Sequence, residues 1–302
     1  MITGNILNYL LFILCAAFLF SSCEKDIHTT EYRDTTIVIN SIPEGSGVFD
    51  QQVRSYINKC YLDVLGREAS SRELELAGQN LKSGDFSQEA RREFLELLLS
   101  NLKFYKNLWY NKSASYLNGI DSSDLNRQIF IFNSLKDQAE HEGDILIASF
   151  YEFEVQRLRD LQAAAENYYS NKISTEEFYS GFCLNFFYDE INMGTENFVL
   201  SCFENYLGRL PTQDEQFRAT EMVDGFSSTL FLESGNNKLD FVSIVMNSEE
   251  FYEFQTRDIY LQLVGAEITE SDLRQFKEQL IADKNLELLF IDIMISEAYA
   301  GF

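Results

Sequence analysis

Beyond residue 50, the apolar residues recur every three to four positions, which is the spacing of one face of an α-helix. The segment from Gln88 to Leu108 has a wide apolar stripe, typical of a helix buried in a core. Another long helix is predicted from Asp144 to Tyr169. The residues from Ser174 to Glu177 form a capping-box pattern that predicts the start of a further helix. Strand patterns are almost absent, so the sequence predicts an all-α fold.

Three segments of the chain align on a glycine, at Gly66, Gly208 and Gly265. A serine or threonine follows each glycine after four positions and an acidic residue after seven. These pairs are Ser70 and Glu73, Thr212 and Glu215, and Thr269 and Asp272. Glycine closes a helix in the left-handed conformation, and a hydroxyl followed by an acid three residues later caps the next helix. Each segment therefore predicts a helix, a tight corner and a second helix.

Farther along each repeat, the pattern predicts another apolar helix that ends in one of three similar segments. These are Asn101–Phe104, Ser248–Phe251 and Ser296–Tyr299. The predicted architecture is a multi-helix array of helix-corner-helix repeats with a central helical insertion. The predicted boundaries are 1–22 for a signal peptide, 23–50 for a lipidated N-terminus and flexible tether, 51–110 for repeat unit 1, 111–195 for the insertion, 196–255 for unit 2 and 256–302 for unit 3.

The corners carry a family resemblance. Leu-Gly-Arg at residues 65–67 and 207–209, followed by a polar turn, a helix and a Ser-x-x-Phe-like segment, resembles a small helical repeat of unknown function. That repeat occurs in bacterial surface and S-layer-associated proteins and is similar to phycobilisome linker domains. The resemblance covers residues 53–108 and 196–302, although the third corner reads Val-Gly-Ala at 264–266. It implies surface placement and protein scaffolding, and it brings no established active site.

The first 22 residues contain no charged side chain, and residues 6–20 are almost continuously apolar. This run is shorter than the roughly 20 residues that span a membrane, so it is typical of a secretory signal; a buried or spanning helix is the alternative. Leu19–Cys23 resembles the lipobox of bacterial lipoproteins, although Phe20 is bulkier than usual and no basic residue precedes the apolar run. The resemblance implies diacylation of Cys23 and anchoring in the outer membrane, on its periplasmic or its outer face.

The residues after Cys23 begin with Glu24-Lys25-Asp26, which resembles an acidic export tag of surface lipoproteins or is simply the start of a solvated linker. Residues 27–49 are rich in Thr, Ser, Gly and Asp, a composition typical of a flexible tether.

The chain has 48 acidic and 24 basic residues and a net charge of −24, together with 26 Phe and 16 Tyr. So many aromatic residues exclude a disordered acidic tail. Nucleic acid is not expected as a partner, because its phosphates bind clusters of Lys and Arg. The same charge disfavours direct docking on anionic lipopolysaccharide without divalent cations.

No nucleophile elbow, Walker loop, zinc-protease motif or dinucleotide fingerprint is present. The two histidines, His28 and His141, lie in the tether and in a polar helix end. No calcium loop and no Cys/His spacing for a metal occurs, so we predict no cofactor and no metal. The expectation is a protein that is not an enzyme. A carboxylate-dependent hydrolase is an alternative, because so many acids allow many pairs.

Arg67 and Arg209 directly follow two of the corner glycines and are candidate binding residues. A guanidinium suits a carboxylate or sulfate on a ligand, because it donates two parallel hydrogen bonds. The alternative is an internal pair with an acidic side chain or with the last carbonyls of the preceding helix, which the location favours.

Trp109 is the third candidate. Together with Tyr105, Tyr110 and Tyr116 it suggests either a platform on which a sugar stacks or a part of the core. Aromatic residues at helical spacing are more typical of a core.

Three cysteines remain outside the signal and the anchor. Cys60 and Cys202 both lie six residues before a corner glycine, where the third repeat has Ile259, so this position is predicted to be a buried apolar one. A disulfide among Cys60, Cys183 and Cys202 is the alternative after export, and the odd count leaves at least one of them outside it.

We therefore expect a membrane-anchored, non-catalytic scaffold that binds an envelope protein. A module that binds carbohydrate or an envelope polymer is the second hypothesis.

Overall fold

The computed structural model describes residues 46–301, in which fifteen helices and one two-stranded antiparallel ribbon form. The predicted all-α fold is confirmed. The predicted signal peptide, Cys23 and the predicted tether up to residue 45 lie outside the described residues. The helix α1 begins at Ser46, within the segment predicted as tether.

The helices of the first half are α1 (Ser46–Leu65), α2 (Ser71–Ser83), α3 (Gln88–Leu99), α4 (Leu102–Tyr116), α5 (Ser122–Glu142), α6 (Ile145–Tyr169), α7 (Thr175–Cys183) and α8 (Phe186–Ile191). The remaining elements are α9 (Thr195–Leu207), α10 (Gln213–Val223), β1 (Ser228–Leu230), β2 (Glu233–Gly235), α11 (Lys238–Met246), α12 (Glu249–Val264), α13 (Glu270–Asp283), α14 (Leu286–Met294) and α15 (Glu297–Ala300).

The three corners have the same local structure. In each, the glycine after the first helix has a positive φ angle: +66° at Gly66, +69° at Gly208 and +76° at Gly265. The Ser or Thr four residues later is the N-cap of the second helix, and its hydroxyl accepts the backbone N–H of the acidic residue predicted to follow it; the caps are Ser70, Thr212 and Thr269. The first two corners complete the reciprocal capping box.

The predicted helix over residues 88–108 is wrong in one respect, because the helix is interrupted at Ser100 and Asn101. Asn101 is the N-cap of α4 and accepts the N–H of Lys103 at 2.9 Å. Ser248 and Ser296 cap α12 and α15 in the same way. The segments that the sequence analysis placed at the end of a helix therefore begin the next one. The apolar stripe crosses the break because the helices on both sides of it bury apolar faces.

The last helices of the described chain, α14 and α15, contact its first helix, α1. The Tyr56 hydroxyl on α1 donates to the carbonyl of Met294 at 3.2 Å, and the Tyr299 hydroxyl on α15 donates to Asp63 at 2.7 Å. The ammonium of Lys59 lies 3.8 Å from the centre of the Tyr299 ring. The first and last helices of the described residues thus share one apolar core.

A later helix, α4 for the first corner and α12 for the second, carries a residue that packs against the corner glycine. Asn107 lies six residues after the cap of α4 and contacts the space beside Gly66; Phe254 lies six residues after the cap of α12 and covers Gly208. A Cβ atom at Gly208 would overlap the Phe254 ring, whereas a Cβ atom at Gly265 would meet open space. The second corner is therefore closed by packing as well as by backbone conformation.

We expect Gly208→Ala to lower the free energy of unfolding by about 3 kcal/mol, since a left-handed backbone and an overpacked contact each add a cost. Gly265→Ala is the matched control, because it meets only the backbone cost of about 1 kcal/mol. Urea unfolding followed by circular dichroism measures both. Equal losses in the two variants would show that Phe254 does not close the corner.

Candidate functional site

At the first corner, Arg67 pairs with an acidic residue of its own chain. Its Nη1 and Nη2 donate to the two carboxylate oxygens of Glu73 at 2.9 and 2.7 Å. Nη1 also donates to the carbonyl of Glu68, and the guanidinium carbon lies 5.2 Å from the centre of the Tyr61 ring. Glu73 is the acid of the capping box of α2. Arg67 therefore orients the side chain that helps to cap this helix.

At the second corner, Arg209 holds two carboxylates. It forms two hydrogen bonds of 2.8 Å with Glu215, the capping acid of α10, and two with Glu250 in the first turn of α12. The Phe203 ring lies 5.2 Å from the guanidinium carbon. The corner is thereby tied to the start of α12. In the first repeat the position of Glu250 is occupied by Lys103, which carries the same sign of charge as an arginine.

Both arginines therefore form an internal ion pair with an acidic side chain, because their two terminal nitrogens donate to carboxylates of the protein. The hypothesis that Arg67 and Arg209 recognise a ligand finds no free guanidinium fork in this arrangement. Alanine at position 266 in the third corner shows that the corner itself forms without the arginine.

These pairs shift the protonation of the capping acids. The Arg209 guanidinium and the Thr212 cap outweigh partial burial and lower the pKa of Glu215 to about 2. Hydrogen bonds from Arg67 and from the Ser70 backbone lower the pKa of Glu73, also to about 2. Both acids are charged at neutral pH.

Trp109 belongs to the core. Its side chain is 4% exposed, and its Nε1 donates to the carbonyl of Leu161 at 2.8 Å. Tyr105 and Tyr116 are buried as well. The depression beside the indole has a volume of about 70 Å³, far below the roughly 300 Å³ of a typical ligand pocket. The predicted sugar platform thus has no open Trp109 face.

The three cysteines are buried and free. Cys60 and Cys202 are as buried as Ile259, the residue at the same position of the third repeat. This is as expected for an apolar position. Burial raises the pKa of the Cys60 thiol to about 12. This thiol is protonated at neutral pH and does not act as a nucleophile.

An ion pair between the buried Lys112 and the partly exposed Asp258 joins α4 to α12. The ammonium of Lys112 lies 3.1 Å from Asp258 and within 6 Å of the ring centres of Tyr116 and Tyr179. Neither amide atom of Gln255, also in this cluster, has a hydrogen-bond partner among residues 46–301. The ion pair links the two helices across their contact.

Within residues 46–301, several large apolar side chains are exposed at the start of α6. Ile145, Leu146, Phe150 and Phe153 are 77%, 84%, 56% and 52% exposed, and we call these four residues the hairpin surface. Beside it, an open groove of about 620 Å³ runs between α5 and α6. Ile145 and Phe153 line this groove together with Glu140. Four large apolar side chains at one end of a helical hairpin form an unusual surface for an isolated protein.

The hairpin surface continues a stripe that is buried farther along the same helix. Leu146, Phe150 and Phe153 have helical spacing, and the same spacing leads through Arg157 to Leu161, Ala164 and Tyr168. The last three residues are buried, and α4 packs on this half of α6. α4 ends at Tyr116, and the chain turns away through Asn118 and Gly119, which both have positive φ. The first half of the stripe is therefore uncovered.

Sequence reasoning missed the hairpin surface. A signal was present, because α6 has apolar residues on several sides in its first half, including the run Ile145-Leu146-Ile147. One buried face explains only part of such a pattern.

We expect Glu215→Gln to lower the free energy of unfolding at pH 7 by about 2 kcal/mol, because a charge-assisted pair and part of a cap are lost. The stabilisation by Glu215 is present above its unfolded pKa of 4.5 and disappears as the pH falls through its folded value of about 2. Urea midpoints measured from pH 7 to pH 2 should therefore converge for the variant and the wild type. Glu204→Gln, at an exposed position on α9, is the control and should parallel the wild type throughout.

Comparisons of the chain with protein-family models, with curated proteins and with solved structures give no match. Within residues 46–301, no group of three or more His, Cys, Asp or Glu side chains is arranged to hold a metal ion. The helices of this part of the chain all fall short of the length and hydropathy needed to cross a bilayer.

Proposed function

We propose that this protein is a lipid-anchored, non-catalytic scaffold of the bacterial envelope and that the hairpin surface is the place where it binds another protein. The observation that carries the proposal is the uncovered stripe of Leu146, Phe150 and Phe153, on a helix whose other half is covered. Exposed apolar area of this kind is stable in water only at a cost that a partner removes.

The pairing of the cationic side chains within the protein supports a binding role rather than a chemical one. Arg67 and Arg209 are engaged with carboxylates, and Lys112 is sealed between helices. The groove beside the hairpin surface is lined by one ammonium, on Lys136, which pairs with Glu152 at 2.7 Å. The carbohydrate alternative has no comparable observation in its favour, because Trp109 is buried.

The anchor in this proposal is Cys23, with small residues before it and an apolar run before those. Two or three acyl chains hold a protein on a membrane stably, and a tethered partner then meets a high local concentration of the scaffold.

Metabolic labelling with radioactive palmitate tests the anchor. We expect the full chain to incorporate the label and to fractionate with membranes, and Cys23→Ala to lose both properties. Cys60→Ala is the control, since Cys60 is buried and should leave labelling unchanged. Labelling that persists in Cys23→Ala would exclude this anchor.

Site-specific photo-crosslinking tests the binding role. A crosslinking amino acid replaces Leu146 in cells of the protein's own species, and the adducts are separated by mass. Leu97 on α3 is the control position, because it is 76% exposed and lies outside the hairpin surface. We expect a discrete protein adduct from position 146 and none from position 97. The same adducts from both positions, or none from 146, would contradict the proposal.

A further inference from the structure

The partner's docking element can be specified from the way the protein covers its own stripe. α4 is the helix that occupies the buried half of α6: Trp109 contacts Leu161 and Tyr105 packs on Tyr168, with ring centres 5.5 Å apart. Residue numbers rise along α4 as they fall along α6, so the two helices are antiparallel. A helix that continued the line of α4 would lie over Phe153, Phe150 and Leu146.

The charge of α4 is as informative as its position. Between Leu102 and Tyr116 it contains three lysines, Lys103, Lys106 and Lys112, and no acidic residue. Lys106 pairs with Glu166 on α6 at 2.9 Å. The helix that the protein itself places on this stripe is thus amphipathic and basic.

Acidic side chains surround the uncovered half of the stripe, as Glu166 adjoins the covered half. Glu140 lines the adjoining groove, Glu142 and Asp144 stand at the turn between α5 and α6, and Asp160 lies one helical turn beyond Gln156. No lysine or arginine within residues 46–301 forms an ion pair with these four carboxylates. The whole chain carries a net charge of −24, which attracts a basic partner over a longer range.

We infer that the hairpin surface binds a basic amphipathic helix of a partner protein. This helix lies in line with α4 along the same stripe of α6, and it runs either antiparallel to α6, as α4 does, or parallel to it. The apolar side of that helix covers Leu146, Phe150 and Phe153. Its lysines or arginines face Glu140 and Asp160. This is helix-in-groove recognition, in which apolar residues at helical spacing are the anchors. The inference rests on the proposed function and adds the class of partner.

Two synthetic helical peptides test the inference. Both carry the same leucine face; one has lysine and the other glutamate at the remaining positions. Fluorescence anisotropy with the full chain in detergent measures their binding. We expect the lysine peptide to bind, with an affinity that falls as salt rises, and the glutamate peptide not to bind.

Variants separate docking on the stripe from general attraction to an acidic protein. Leu146→Ser combined with Phe150→Ser should weaken the lysine peptide by about tenfold or more, because central apolar anchors carry most of the binding energy. Leu97→Ser is the matched control and should leave binding unchanged. Glu140→Gln combined with Asp160→Asn should weaken binding by about threefold and reduce its salt dependence, whereas Glu204→Gln should not. All these positions are exposed, and circular dichroism checks that each variant keeps its helices.

Several results would overturn the inference. Equal binding of the glutamate peptide, or binding of the lysine peptide that Leu146→Ser and Phe150→Ser leave intact, would remove the basic helix as the occupant. A dimer in sedimentation that these two substitutions dissociate would assign the surface to a second copy of the chain. Flotation of the protein with lipid vesicles that these two substitutions abolish would assign the hairpin surface to lipid binding. A protein crosslinked at position 146 through a segment that is not a basic helix would overturn the partner class alone and leave the proposed function standing.

Discussion

At each corner the chain leaves one helix and enters the next within five residues, and a positive φ angle at the first of them makes this reversal possible. The hydroxyl cap at the fifth residue then sets where the second helix starts. Because both ends of the turn are determined, the angle between the two helices is determined too. The later helix that packs on Gly66 or Gly208 depends on that angle, and so does the core between them.

The charges follow the same geometry. Acidic residues stand in the first turns of many helices, where the backbone N–H groups and the helix dipole favour a negative charge. Arg209 extends this local effect over distance, since it joins the capping acid of α10 to an acid on α12, 35 positions later in the sequence than Glu215. Where the corner has alanine at position 266, other ion pairs join α12 to α13: Arg257 with Glu270 at 3.1 Å and Lys277 with Glu249 at 2.6 Å.

Much of this was readable from the sequence because it depends on neighbours along the chain. Corner glycines, hydroxyl caps and the long helix from residue 145 to residue 169 all follow from short-range chemistry. The break at Asn101 was missed because an apolar stripe continues across it, and an asparagine cap looks like an ordinary polar residue in a helix. The partners of Arg209 at position 250 and of Tyr56 at position 294 depend on tertiary packing, which no local pattern encodes. The exposure of Leu146 was missed for a related reason: α4 covers half of α6 and then ends.

The contact between the two ends of the described chain also bears on the order in which the protein folds. Tyr56 and Asp63 on the first helix obtain their partners from residues 294 and 299, more than 230 positions away. α1 packs on α2, α3 and α4, which the ribosome releases soon after it. The partners of Tyr56 and Asp63 on α14 and α15 exist only much later in synthesis. The first corner therefore gains its full stability only after α14 and α15 are made, and removal of α15 would be felt at α1.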